Sequence, residues 1–190
     1  MEIVGLAELR PKLGDLACRK YGIPRYYPDH RALLEDPDIE AIVAIVRRKH
    51  TAPVALDILD RGFHLFTEKP MAHSLAEANE MVSAHQQAGT TLMVGESYVF
   101  HHPFVAACGV IDSGDIGDVL HIRETKGPWI MRGDEAKRLD GLSHEANAPW
   151  RVDPKLSGGG RFPWIMDHAP HFFATARFFA TSADVVSVTA

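Results

Sequence analysis

The chain is poor in cysteine. Cys18 and Cys108 stand alone, with neither CxxC nor disulfide-like spacing, which excludes a disulfide scaffold and points to a reducing, cytoplasmic setting. Positive charge is also in deficit: 20 Lys and Arg against 25 Asp and Glu give a net charge of −5. Nucleic acid and anionic membrane surfaces both require a basic face, so neither is expected as a partner, while small neutral or anionic ligands remain open. No apolar run reaches the ~18–20 residues of a membrane span. Met1 leads at once into a strand-like segment rather than a signal peptide. Internal repeats and low-complexity tracts are absent as well.

What remains is an ordinary globular composition, 46% apolar and 24% charged, in 190 residues, enough for one good core or two small ones. Short apolar runs alternate with helical patterns, the mark of βαβ units around a parallel sheet. Ile3–Ala7 reads as a strand, followed by a helix with Pro11 in its first turn, Leu13, Leu16 and Ala17 along it, and Gly22 as C-terminal cap. Ile39–Val46 reads as a strand with both faces covered. A helix from about Thr51 to Gly62, a strand over Phe63–Thr67, a helix opened by the capping box Ser74/Glu77 and closed by Gly89, and a strand over Thr91–Gly95 complete the pattern. Beyond Gly95 the rhythm breaks. A helix is expected over His101–Ser113, a turn at 113–117, a half-solvated strand over Val119–Thr125, and an irregular loop over 127–160. The expected fold class is α/β: a partial Rossmann-type doubly wound parallel sheet over 1–95, followed by part of an α+β domain over 96–190.

Two places in this frame carry chemistry. Glu68-Lys69-Pro70 lies at a strand end just before a helix, where an open parallel sheet presents side chains to ligand, and the proline keeps Lys69 out of the helix. On its own the tripeptide reads rather as a salt-bridged pair on a strand-to-helix loop, and its context reverses that reading. The second place is a missing one. A doubly wound nucleotide-binding domain opens with a G-x-G-x-x-G turn whose backbone amides hold a pyrophosphate, and the chain has no such turn. Its first strand instead ends at Glu8, with Arg10 beside it, and a carboxylate there is what binds a ribose hydroxyl about 20 residues after the glycine turn. The chain is therefore expected to start one βα unit late.

The run Gly62-Phe63-His64-Leu65-Phe66-Thr67-Glu68-Lys69-Pro70-Met71-Ala72 resembles the signature of the glucose-fructose oxidoreductase and inositol dehydrogenase family (Gfo/Idh/MocA). Segments 35–43, 92–95 and 111–117, Trp150-Arg151 and Gly158-Gly159-Gly160 agree in order and spacing. The resemblance implies a nicotinamide-binding Rossmann domain, a C-terminal domain whose sheet mediates homo-oligomerisation, and hydride transfer to or from a sugar, cyclitol or related carbinol. It further implies a catalytic set of Lys69 with an Asp and a His four residues apart, which Asp167 and His171 supply on one helix face. His171 is then the general base, Asp167 orients its imidazole, and Lys69 stabilises the developing alkoxide. Matching by the glycines instead puts Trp164 and His168 in those slots.

Cofactor contacts are expected from Glu8, Arg10, Arg47, His50, Glu68 and Lys69, and substrate contacts from Tyr98, His101, Trp150, Arg151 and His168, with NAD as cofactor and NADP possible. No metal is expected; a zinc site from Asp167, His168 and His171 with His101 or His102 lacks a second close-spaced ligand pair. A non-catalytic sensor on the same fold, and an NAD-dependent hydrolase or lyase using transient oxidation, are the rival functions. The absent glycine turn and a stop at 185–190 lead to the expectation of a fragment truncated at both ends.

Overall fold

Strands and helices alternate from the N-terminus in the computed structural model, which describes residues 2–125, 163–180 and 183–189. Leu6–Ala7 (β1) leads into Pro11–Tyr21 (α1), and Tyr26–Tyr27 (β2) into the single turn His30–Leu33 (α2). Ala41–Ala44 (β3), Thr51–Leu59 (α3), His64–Glu68 (β4), Leu75–Ala88 (α4) and Leu92–Gly95 (β5) continue the alternation. After β5 come His102–Asp112 (α5) and Pro163–Phe179 (α6). Every ladder among the described residues is parallel: β1 pairs with β2, and β4 lies between β3 and β5. This is the α/β fold the alternation predicts.

Local chemistry sets the helix limits. Pro11 occupies the first turn of α1, where its missing N–H costs nothing, and Gly22 ends the helix at φ 66°, in the left-handed region that a side chain disfavours. Gly89 closes α4 in the same way at φ 65°. Ser74 caps the start of α4 by accepting the Glu77 N–H at 3.3 Å. The return half of the expected capping box is displaced by one residue, because Glu77 accepts the N–H of His73 rather than that of Ser74. Between sheet and helices, Ile58 and Leu59 of α3, Leu65 of β4 and Met81 of α4 are fully buried and form the core that aligns the strand ends.

Four expectations need correction. The strands at 3–7 and 39–46 shrink to two and four residues, because only those parts face a paired neighbour. Nor is β3 covered on both faces: Val43 is 56% and Ile45 74% exposed among the described residues. Val119–Thr125 forms no strand; no described strand lies beside it to complete a ladder, and Leu120 is 93% exposed. Finally, β2 and α2 escape a periodicity argument because each spans only about one period, too short for a repeat to show. Polar contacts hold them instead. Arg25 Nη1 donates to Asp36 and Asp38, Arg25 Nε donates to the Val4 carbonyl, Tyr27 OH donates to Asp36, and Asp29 accepts the Ala32 N–H.

Candidate active site

Parallel strands deliver their C-terminal ends to one edge of the sheet, where ligands of such folds bind. Here that edge carries Glu8 after β1, Arg48 after β3, Lys69 after β4 and Glu96 after β5. Helix α6 packs against the ends of β4 and β5 and brings Asp167, His168 and His171, all buried. Lys69 Nζ donates to the Asp167 carbonyl at 2.9 Å and lies 3.2 Å from its Oδ1. Arg48 Nη2 approaches the same Oδ1 at 3.7 Å. The side chains of Arg48, Asp167 and Lys69 are 4%, 10% and 16% exposed, so one carboxylate with little access to water is held between two cations.

The second half of the cluster is built around His171. Its Nδ1 lies 2.7 Å from Glu96 Oε1, an oxygen that also accepts the Tyr98 backbone N–H at 3.0 Å. The imidazole stacks on the Tyr98 ring at 4.1 Å and 16°, and Tyr98 stacks in turn on His101 at 5.1 Å. His168 lies with its Nε2 3.8 Å from Asp167 Oδ2 and its ring 6.5 Å from that of His171. Among the described residues no group of three or more His, Cys, Asp or Glu is arranged to hold a metal ion.

Lys69, Asp167, His168, His171, Tyr98 and His101 thus lie in one cluster. One detail is overturned. Asp167 does not orient the His171 imidazole, because its carboxylate is taken by the Lys69 ammonium, and the end of β5 presents Glu96 to Nδ1 instead. Of the expected cofactor contacts, Glu8 and Arg10 pair with each other, Arg10 Nε reaching Glu8 Oε1 at 2.8 Å. That hydrogen bond is the main reason the Glu8 carboxyl lies below the usual carboxylate range. Glu68 accepts the Lys69 N–H at 2.9 Å. Arg47 and His50 are exposed at either end of the 3-10 turn Arg48–His50. Loss of hydration, then the Lys49 and Arg47 cations, hold the His50 imidazole below its ordinary value. Trp150 and Arg151 lie outside the described residues, as does the side chain of Trp164 in the alternative register.

Arg48 and Glu96 are the site residues that sequence reasoning missed. Glu96 directly follows β5 and Arg48 lies four residues past β3, and both could have been found by asking which charged side chains stand beyond strand ends. Arg48 was hidden in the basic run at 47–50, where Arg47 and His50 are the residues expected to meet the cofactor, and Glu96 belongs to no motif.

Comparison with known proteins agrees with the fold. Residues 1–96 match the sequence profile of an oxidoreductase family with an NAD-binding Rossmann fold. Levoglucosan dehydrogenase of Pseudarthrobacter phenanthrenivorans is 27% identical over 184 residues, 96% of this chain and 43% of the relative. D-xylose dehydrogenase of Paenarthrobacter nicotinovorans is 30% identical over 123 residues, covering 65% of this chain and 31% of its own length. The chain thus spans less than half the length of these relatives. Among solved structures, aldose-aldose oxidoreductase from Caulobacter crescentus, complexed with glycerol, superposes over 95% of this chain and 50% of its own with a TM-score of 0.71 at 23% identity. An NAD-binding oxidoreductase from Klebsiella pneumoniae does so over 93% and 43% with a TM-score of 0.69 at 22% identity. At these identities the structural likeness speaks to fold.

Proposed function

The chain belongs to the Gfo/Idh/MocA oxidoreductase family, with its NAD-binding Rossmann fold, and from that premise we propose that it serves hydride transfer between a nicotinamide cofactor and a CH–OH group of a sugar, cyclitol or related carbinol. The observation that carries the proposal is the junction of Lys69 and His171 through α6, with Lys69 Nζ 3.2 Å from Asp167 Oδ1 four residues before His171. Relatives named for levoglucosan, D-xylose and inositol act on alcohols of this chemical class.

The donor set fits a nicotinamide cofactor in part. Glu8 offers carboxylate acceptors at the end of β1 for ribose hydroxyls, and Arg47 and His50 after β3 and Glu68 at the end of β4 stand on the same sheet edge. Amides of a glycine turn for the pyrophosphate are not among the residues of this chain. The cofactor supplies a hydride acceptor. The remaining work belongs to the protein. His171 takes the hydroxyl proton at Nε2, the Lys69 ammonium hydrogen-bonds the same oxygen as charge develops on it, and Asp167 holds that ammonium in place. Tyr98, His101 and His168 flank the reacting position, and Trp150 and Arg151 are assigned to the substrate from the family pattern. Glu8 favours NAD over NADP by repelling a 2′-phosphate, an effect that its pairing with Arg10 weakens. A division near Gly95 into cofactor and substrate domains, a cytoplasmic location and a homo-oligomeric full-length form complete the proposal.

The test is the rise of NADH absorbance when the protein is mixed with NAD and a panel of sugars and cyclitols. Turnover of at least one member, lost in a Lys69→Ala variant, is expected. A panel that yields no NADH above the buffer rate would sink the reading.

A further inference from the structure

We infer that Glu96 is a positioning residue for His171, selecting the tautomer in which Nδ1 carries the proton and Nε2 presents its lone pair to a substrate hydroxyl. The inference deepens the proposed dehydrogenase reading, since it rests on His171 as the base. An ionised carboxylate can only accept hydrogen bonds, so the 2.7 Å contact between Glu96 Oε1 and His171 Nδ1 requires the proton on Nδ1. A neutral imidazole has one N–H, and Nε2 is then left unprotonated. The carboxylate is itself aimed before any ligand arrives, because Oε1 also accepts the Tyr98 N–H at 3.0 Å, fixing the Glu96 side chain to the backbone two residues on.

One further contact restricts the ring. Tyr98 stacks on the imidazole at 4.1 Å with 16° between planes, which opposes tilting, and Tyr98 is backed by His101 at 5.1 Å and Phe104 at 6.0 Å. Asp167 and His168, the acceptor-bearing neighbours on the same helix, do not replace Glu96. The Asp167 carboxylate lies against Lys69, and the His168 ring centroid is 6.5 Å from that of His171. As His171 gains the hydroxyl proton on Nε2, the proton on Nδ1 stays in place, and Glu96 faces the positive charge that forms on the ring. Among the described residues Glu96 Oε2 is buried with no hydrogen-bond partner, so the polar contacts of this carboxylate run through Oε1, to His171 and the Tyr98 N–H.

Long-range 15N–1H NMR of the histidine-labelled chain reads the tautomer directly, with the His171 ring assigned by its loss in His171→Gln. The wild type should show Nδ1 protonated and Nε2 bare, and Glu96→Ala should transfer population to the Nε2–H form. With an active polyol, kcat of Glu96→Ala should fall about 100-fold while KM stays within about threefold, because only transition-state positioning is lost. If the alanine variant does not fold, Glu96→Gln, which keeps volume and a neutral acceptor, should lose about tenfold in kcat on the same reasoning. An Nε2–H tautomer in the wild type, or an unchanged tautomer in Glu96→Ala, overturns the inference whether or not turnover is seen. A wild type silent toward every polyol whose tautomer nevertheless switches on removal of Glu96 overturns the dehydrogenase reading and leaves the positioning role standing.

Discussion

Asp167 is a carboxylate with two cationic neighbours and little water, and that arrangement decides what its removal does. In Asp167→Ala the Lys69 and Arg48 charges stay buried and lose the carboxylate that lies between them. Breaking a buried pair from one side costs about 3–5 kcal/mol, so urea denaturation should show a loss of that size, with Asp167→Asn losing less. Lys69→Ala leaves Arg48 to face the carboxylate, and its effect should fall on catalysis: kcat down by roughly 10²–10³, the range for losing one donor to a developing oxyanion, with little change in the KM for cofactor. Steady-state kinetics would check this. At this scale the family resemblance grouped Lys69, Asp167 and His171, but it gave the His171 imidazole to Asp167 where the structure presents Glu96. The i,i+4 rule says which side chains share a helix face. It does not say which of two acids an imidazole will find, because that depends on where β5 ends, and Glu96 lies 75 residues away along the chain.

Among elements, those with their own punctuation were legible. Helix α4, with Ser74 before it and Gly89 after it, and α1, between Pro11 and Gly22, match the reading to within a residue or two. The pair β2 and α2 was invisible because tertiary contacts, not period, hold it. Those contacts give it a pH signature. The hydrogen bond from Tyr27 OH, then that from the Asp38 N–H, then Arg25, lower the Asp36 pKa against the opposing effect of burial. A depressed folded-state value means stability that is present above the unfolded-state pKa and is lost as pH falls through the folded one. The melting temperature should therefore drop on acidification below the ordinary aspartate range, and less steeply in Asp36→Asn. Gly14 of α1 tests the same corner differently. A Cβ there would lie 2.2 Å from the Tyr26 ring, whose hydroxyl donates to the Glu8 carbonyl at 2.8 Å. Overpacking of about 1–3 kcal/mol exceeds the helix-propensity gain of up to about 1 kcal/mol. Gly14→Ala should thus be neutral to destabilising in urea and should weaken NAD binding in a direct titration by shifting Glu8.

For the whole molecule, uncovered apolar surface is the dominant fact. Val43 and Ile45 at β3, Leu120, Phe173 and the valines 185, 186 and 188 are all exposed, and exposed apolar patches promote association. Sedimentation velocity of this 190-residue chain should show a weight-average size that rises with concentration, and Val43→Lys with Val186→Lys should reduce the rise. A single concentration-independent monomer would contradict this. Sequence alternation revealed the layers but not their coverage, since an apolar strand reads the same whether or not a partner lies over it. The union of β4 with α6 has a kinetic consequence. The contact from Lys69 to Asp167 spans 98 residues of chain, whereas each βα unit closes over a few tens at most. Local units form early and distant ones late, and segments joined by few contacts open below the global unfolding free energy. The reactive centre should therefore be the last part of the molecule to assemble on refolding and the first to come apart: in a urea series, turnover should vanish at a lower concentration than the far-UV circular dichroism of the sheet and its helices.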